Sequence, residues 1–173
     1  SIPLHKDLMR LSILCNDSSN VDGQEIGDPT ETALINLSAH LGVPASRVRA
    51  VYPRLSEIPF DSDRKMMSTL HLLKDGYTMI TKGAVDVLIE RIKYIRKNNQ
   101  IVPITAQDRE DILAMNMEFS QNGLRVLAIT YKKLTAEKSL DYDDENDLIF
   151  LGLISMMDPP RVESAPAVTE CLQ

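Results

Sequence analysis

Two cysteines in 173 residues, Cys15 and Cys171, stand near opposite ends of the chain with no metal-ligand spacing. That scarcity excludes a disulfide framework or a cysteine-built zinc site, and reduced thiols are expected. No stretch approaches the ~18 apolar residues of a membrane span, and no signal peptide is visible. The chain itself is therefore expected to be soluble, which leaves a membrane-bound parent open. Basic residues are outnumbered, with 19 Lys and Arg against 25 Asp and Glu, a formal net charge of −6. Scattered cations at that balance argue against a nucleic-acid surface, but a local basic pocket for a small anion remains compatible with it. The common phosphate-cradling loops, G-x-x-x-x-G-K-[ST] and G-x-G-x-x-G, are absent, as are H-E-x-x-H and G-x-S-x-G. His5, His40 and His71 lie far apart on unrelated segments and read as surface or strand residues. With no candidate nucleophile, base or metal cluster, a free-standing enzyme has little to stand on.

What is present suits one globular domain. Hydrophobic residues at 43% and charged residues at 25% are ordinary, and the length can bury a substantial core. Leu4, Leu8, Leu11 and Cys15 recur at helical spacing, so a first helix is expected over residues 4–15. Residues 16–27 are polar and turn-rich and read as a loop. Asp28 as N-cap and Pro29 as first helical residue open a second helix, with Leu34, Leu37 and Leu41 on its buried face and Gly42 ending it. A short helical piece follows Pro44 and stops at Tyr52-Pro53.

Strands dominate after Leu55. Asp75-Gly76 is a two-residue hairpin signal between residues 66–74 and 77–81. Val85, Leu88, Ile92 and Ile95 make the stripe of a helix that starts after Gly83. Asn98-Asn99 marks a turn. Thr105 and Asp108 form a capping pair for a helix lined by Ile112, Met115 and Phe119 and ended by Gly123. Residues 125–132 alternate as a strand, the acidic stretch 141–147 is an exposed loop, and 148–154 is a final apolar strand. Hairpin-like turns with helices interspersed favour an α+β fold, mainly antiparallel sheet flanked by helices.

Several residues could carry chemistry. Phe60 follows Pro59 at the end of a strand-like run and precedes a charged turn, a placement that exposes an aromatic face on which a purine could stack. A core phenylalanine is the alternative. Arg64 could anchor that turn or pair with Asp61 or Asp63, and Lys65 would be a mobile positive charge. Lys82-Gly83-Ala84 ends a strand and opens a helix. Gly83 lacks a Cβ, so a ligand or another backbone can approach it, and the helix N-terminus beyond favours anions. Glu31 stands three residues after Asp28, as a capping box requires. Arg125 opens a strand.

Gly27-Asp28-Pro29-Thr30-Glu31, Phe60-Asp61-Ser62-Asp63-Arg64-Lys65-Met66-Met67-Ser68, Lys82-Gly83-Ala84, Gly123-Leu124-Arg125-Val126-Leu127-Ala128 and Asp158-Pro159-Pro160-Arg161 follow one another along nearly the whole chain. In that order they resemble the nucleotide-binding domain of P-type cation-transporting ATPases of the calcium-pump type. The resemblance implies a domain that binds ATP, as Mg-ATP in an intact pump. It would present the terminal phosphate to an aspartate in a separate phosphorylation domain. By the same likeness Phe60 would stack on adenine, Glu31 would approach its amino group, and Lys82 and Gly83 would line the pocket near base and sugar. Lys65 and Arg125 would reach the phosphates.

Ser62 departs from some animal calcium pumps, which carry an arginine there, so that extra phosphate contact is not expected from this position. The Asp-Lys-Thr-Gly-Thr, Thr-Gly-Asp and Gly-Asp-Gly segments of the phosphorylation site do not occur. Residues 1–173 are therefore expected to be one excised, monomeric domain with a hinge-like segment at 158–161. Its partners would be the phosphorylation and actuator domains of a membrane pump, on the cytoplasmic side, with no nucleic acid and no metal ligands of its own. It would bind ATP without hydrolysing it. The competing reading is a regulatory or protein-interaction domain that kept the fold and lost nucleotide binding.

Overall fold

Apolar side chains on both faces of most strands force a buried sheet with cover on each side, and the computed structural model has that form. It describes residues 8, 10–17, 19–21, 24–26, 29–40, 42 and 45–157. A helix, α1, runs over residues 10–14. It is followed by a small hairpin of β1 (Ser19–Val21) and β2 (Gln24–Ile26), then α2 (Pro29–His40) and α3 (Ala45–Val51). The main sheet is built from β3 (Ser56–Asp61), β4 (Met66–Leu73), β5 (Gly76–Gly83), β6 (Ile92–Lys97), β7 (Gln100–Pro103), β8 (Leu124–Leu134) and β9 (Leu148–Met157). Between them lie α4 (Val85–Leu88) and the long α5 (Ala106–Gln121). The strand order is β3-β4-β5-β8-β9-β6-β7. Every neighbouring pair is antiparallel except β6 with β9, so the fold is the expected α+β type with one parallel pairing.

Alternation along the strands divides the core into two layers. Met67, Ile80, Ile129, Tyr131, Ile149 and Leu151 pack with Leu11, Leu14, Cys15 and Leu34 of the N-terminal helical layer. Their strand neighbours Met66, Met79, Ala128, Leu148 and Phe150 pack with Val85, Leu88 and Ile112 on the other face. The β8–β9 register shifts between Ile129 and Thr130, opposite Gly152. A Cβ on Gly152 would come within 3.3 Å of Leu8 Cδ2, so the glycine lets the N-terminal helical layer sit close to the sheet.

Five expectations about local structure need correction. Residues 92–95 are strand rather than helix: α4 covers four residues, a 3₁₀ turn follows at Ile89–Arg91, and β6 begins at Ile92. Pairing with β7 and β9 outweighs the helical spacing of Ile92 and Ile95, both β-branched residues that fit a buried strand. Residues 16–27 hold a hairpin, not only a loop. In the β4–β5 hairpin the two loop residues are Lys74 and Asp75, one position earlier than expected, with Gly76 (φ +122°) already paired to Leu73. On α5, Ile112 is buried but Met115 is exposed and Phe119 only half-buried, because the helix touches the sheet along a narrow stripe. The fifth is the acidic stretch 141–147, expected as an exposed loop, which holds a 3₁₀ turn at Tyr142–Asp144 and buries Glu145.

Other local signals correspond. Thr105 and Asp108 form a capping box in which the Asp108 N–H donates to Thr105 Oγ1 (3.1 Å) and the Thr105 N–H to Asp108 Oδ2 (3.0 Å). Lys97 beside Asp108 holds that carboxyl below the usual carboxylate range. Gly42 and Gly123 follow their helices at positive φ, and Asn98 and Asn99 turn at φ +51° and +64°. Leu4, Asp28, Leu41 and the 158–161 segment lie outside the described residues, as does Cys171.

Candidate functional site

The pocket grows out of one row of the sheet. Met67 on β4 pairs with Lys82 on β5, and Lys82 with Ile129 on β8. Lys82 therefore points, like Ile80, toward the face covered by the N-terminal helices. Near the start of β8, on that face, a cavity of about 530 Å³ opens. Met67, Leu124, Val126 and Leu127 give it apolar walls, Phe60 stands at its side, and Glu31, Lys82, Arg125 and Ser120 converge on it.

Phe60 is 58% exposed although it sits on a strand, so it is no core residue. Pro59 and Phe60 fall where the β3–β4 register breaks, between Ile58 and Asp61. Lys82 is the reverse case, a lysine whose side chain is only 5% exposed. Its Nζ is ion-paired with Glu31 Oε2, which also accepts the Asp17 backbone N–H at 3.4 Å. α2 carries Glu31 in its first turn, and Asn16 Nδ2 holds that turn through the Glu31 carbonyl (3.2 Å). Asn16 and Asp17 are themselves fixed by Arg49 and Arg54: Arg49 Nη2 donates to Asn16 O (2.9 Å) and Arg54 Nη1 to Asp17 Oδ1 (2.7 Å). Glu31 thus faces Lys82 and the pocket; Asp28, its expected capping partner, lies outside the described residues. Behind the pocket floor, burial pushes the Cys15 thiol up to about 11, only partly opposed by the nearby Lys82 ammonium.

Of the six residues singled out from the sequence, the structure brings four together around this cavity: Glu31, Phe60, Lys82 and Arg125. Lys65 and Gly83 are not in its lining. Lys65 is exposed in the β3–β4 turn at φ +60°. Gly83 answers to a neighbouring backbone: a Cβ there would collide with the Lys65 carbonyl oxygen and come within 2.7 Å of Met66 Cβ. A helix does start there, as expected, but the Ala84 N–H is taken by that same Lys65 carbonyl (3.1 Å) and α4 spans only four residues, which leaves a short helix with a small dipole.

Met67, Ser120, Leu124, Val126 and Leu127 were not singled out. Leu124, Val126 and Leu127 flank Arg125 in the sequence and could have been found as strand neighbours; Ser120 and Met67 become pocket residues only through the tertiary fold. Arg64 pairs with Glu145 (Nε–Oε1 3.0 Å), not with Asp61 or Asp63. A smaller cavity of about 180 Å³ lies by the β4–β5 turn, where Arg10, Lys74, Arg96 and Lys133 gather around Asp75. Among the described residues no group of three or more His, Cys, Asp and Glu is arranged to hold a metal ion. No helix among them is long and apolar enough to cross a membrane.

Chemically, the larger cavity suits a flat, mostly apolar ring with a polar edge. Such sites combine hydrophobic walls with a few converging polar groups. Phe60 offers a stacking face, Glu31 an acceptor, Lys82 a donor, and Arg125 a charge for an anionic tail. A family model described as "P-type ATPase, cytoplasmic domain N" matches residues 5–163. Calcium-transporting ATPase 1 of Bacillus cereus is 39% identical over 99% of the chain and 20% of its own length. A calcium-transporting ATPase of Listeria monocytogenes is 43% identical over 89% and 18%. Calcium-transporting ATPase 1 of Lactococcus lactis is 43% identical over 95% and 19%. The chain spans about a fifth of the length of each.

Proposed function

The chain belongs to the P-type ATPase family as its cytoplasmic N domain, and from that premise we propose that the cavity beside Phe60 binds the adenosine end of ATP. In this reading Phe60 stacks on the base, Glu31 accepts from its exocyclic amino group, and Lys82 donates to the base or sugar. Arg125 steadies the phosphates and Lys65 approaches them from the adjacent turn. Gly83 acts indirectly, by letting the Lys65 turn close on the end of β5. The observation that carries this is an aromatic ring 58% exposed on a strand, facing a cavity whose polar groups are one carboxylate, one buried lysine, one arginine and one serine.

The mechanism assigned to this chain is positioning. Holding ATP turns its meeting with a phosphorylatable aspartate into an intramolecular event, completed when domains close. The aspartate belongs to a phosphorylation domain of the parent pump. With an actuator domain, that unit would be the chain's partner, and a membrane region would carry the ion. Magnesium would arrive on the phosphates and take its protein ligands from the other domain. Calcium as cargo rests on the names of the relatives, since the residues that choose an ion lie elsewhere.

Binding by half a site should be weak, with Kd from about 0.1 to several mM, roughly −3 to −5.5 kcal/mol. Calorimetric titration with ATP tests the reading. Phe60→Ala should weaken binding at least about fivefold, the lower bound of a stacking contribution of about 1–3 kcal/mol. The same samples should show no sustained phosphate release. Unchanged affinity in Phe60→Ala, or release that EDTA abolishes, would overturn the reading.

A further inference from the structure

We propose that Glu145 is a positioning residue for this pocket, fixing Phe60 through Arg64 and the carbonyl of Pro59. The inference rests on the adenosine reading above and goes beyond it. Glu145 sits in the acidic stretch between β8 and β9, read from the sequence as an exposed loop, yet it is fully buried. Its neighbours explain how. A 3₁₀ turn at Tyr142–Asp144, closed by a capping box on Asp141, folds the loop back over the β3–β4 turn. Arg91 Nη1 then takes the Glu145 carbonyl (3.1 Å).

The carboxylate is held by three donors. Arg64 Nε reaches Oε1 at 3.0 Å, Arg64 Nη2 reaches Oε2 at 3.3 Å, and the Ser68 hydroxyl bonds Oε2. Ser68 is in turn 2.8 Å from Thr81 Oγ1 in the middle of the sheet. The guanidinium has a second duty. Nη1 and Nη2 both donate to the Pro59 carbonyl, at 3.3 and 3.2 Å, and the group lies 5.2 Å above the Tyr142 ring.

Pro59 has no N–H to offer, and the β3–β4 register breaks between Ile58 and Asp61. The segment carrying Phe60 is therefore outside the regular ladder. The arginine replaces the missing ladder bonds by gripping the carbonyl next to Phe60. A planar, forked cation is needed to reach carboxylate and carbonyl together; a lysine ammonium can serve only part of that set. Burying a carboxylate is poorly rewarded as stability alone, because desolvation offsets the attraction. Its yield here is geometric, a stacking ring held in place before the ligand arrives.

NMR titration with AMP tests this in five proteins: the unaltered chain, Phe60→Ala, Glu145→Gln, Arg64→Lys, and Phe60→Ala with Glu145→Gln. Glu145→Gln and Arg64→Lys, in samples whose spectra show an intact fold, should each raise Kd about three- to tenfold through lost preorganisation. In the Phe60→Ala background Glu145→Gln should add nothing, since the ring it positions is gone. The Phe60 ring signals should also shift in both single variants before AMP is added. Equal losses in the two backgrounds would overturn the proposal, as would unchanged affinity in folded Glu145→Gln and Arg64→Lys. If Phe60→Ala alone binds AMP normally, the adenosine reading fails and the positioning role falls with it.

Discussion

Lys82 and His71 are polar side chains inside the sheet, and they meet the cost of burial in opposite ways. Lys82 is ion-paired with Glu31, in a pocket open enough for a ligand to reach both groups. Removing either partner would strand a poorly solvated charge, which is why neither can be substituted as a pure test of binding. His71 gives up its charge instead. Its Nδ1 lies 2.8 Å from the Tyr52 carbonyl, which can only accept, so the proton sits on Nδ1 and Nε2 faces Thr69 Oγ1 at 3.0 Å. Burial, reinforced by the nearby Arg54 cation, holds its pKa below the usual 6.5, against the pull of the Tyr52 carbonyl.

The unfolded chain thus binds a proton at His71 before the folded one does. Stability from this residue is full above about pH 6.5 and is lost as pH falls toward the folded-state pKa. Urea unfolding between pH 7.5 and 5 should lose up to about 1.4 kcal/mol per pH unit in that window relative to His71→Gln. Parallel curves for the two proteins would contradict the neutral, buried histidine. From the sequence alone His71 read only as a surface or strand residue; its burial depends on which face of β4 the N-terminal layer covers.

At the scale of elements, legibility followed the range of the interactions. Helix ends and turns are written in local chemistry, so Thr105 with Asp108, Gly123, and Asn98-Asn99 could be read directly. The β1–β2 hairpin is hard to read because each strand spans only three residues, too few for an alternating pattern to show. Residues 92–95 misled because isoleucines spaced by three fit a helix stripe, while their fate was decided by β9, more than fifty residues later. Gly83 is the case where element and site meet. Its missing Cβ lets the end of β5 pack under the Lys65 carbonyl, where a side chain would collide with Lys65 and Met66. Gly83→Ala should cost about 1–3 kcal/mol, the usual range for overpacking, read as a lower urea midpoint. An unchanged midpoint would mean that the β4–β5 end yields freely and that the glycine is there for the ligand.

Over the whole molecule, a mixed sheet buried on both faces carries an apolar-walled cavity beside the start of β8. The five ordered motifs named the family from sequence, and four of six chosen residues meet at that cavity. The Glu145–Arg64 network was invisible in the sequence because it joins residues 81 apart, and Met67 and Ser120 reach the cavity only through the tertiary fold. In the proposed function this cavity, rather than the basic one by the β4–β5 turn, receives adenosine. Backbone NMR shifts on titration with ATP and separately with AMP test it most directly. Saturable shifts are expected at Phe60, Lys82 and Leu127 with both ligands, and added shifts at Arg125 and Lys65 with ATP. Shifts confined to Arg10, Lys74, Arg96 and Lys133, or none at millimolar ligand in a folded sample, would contradict it.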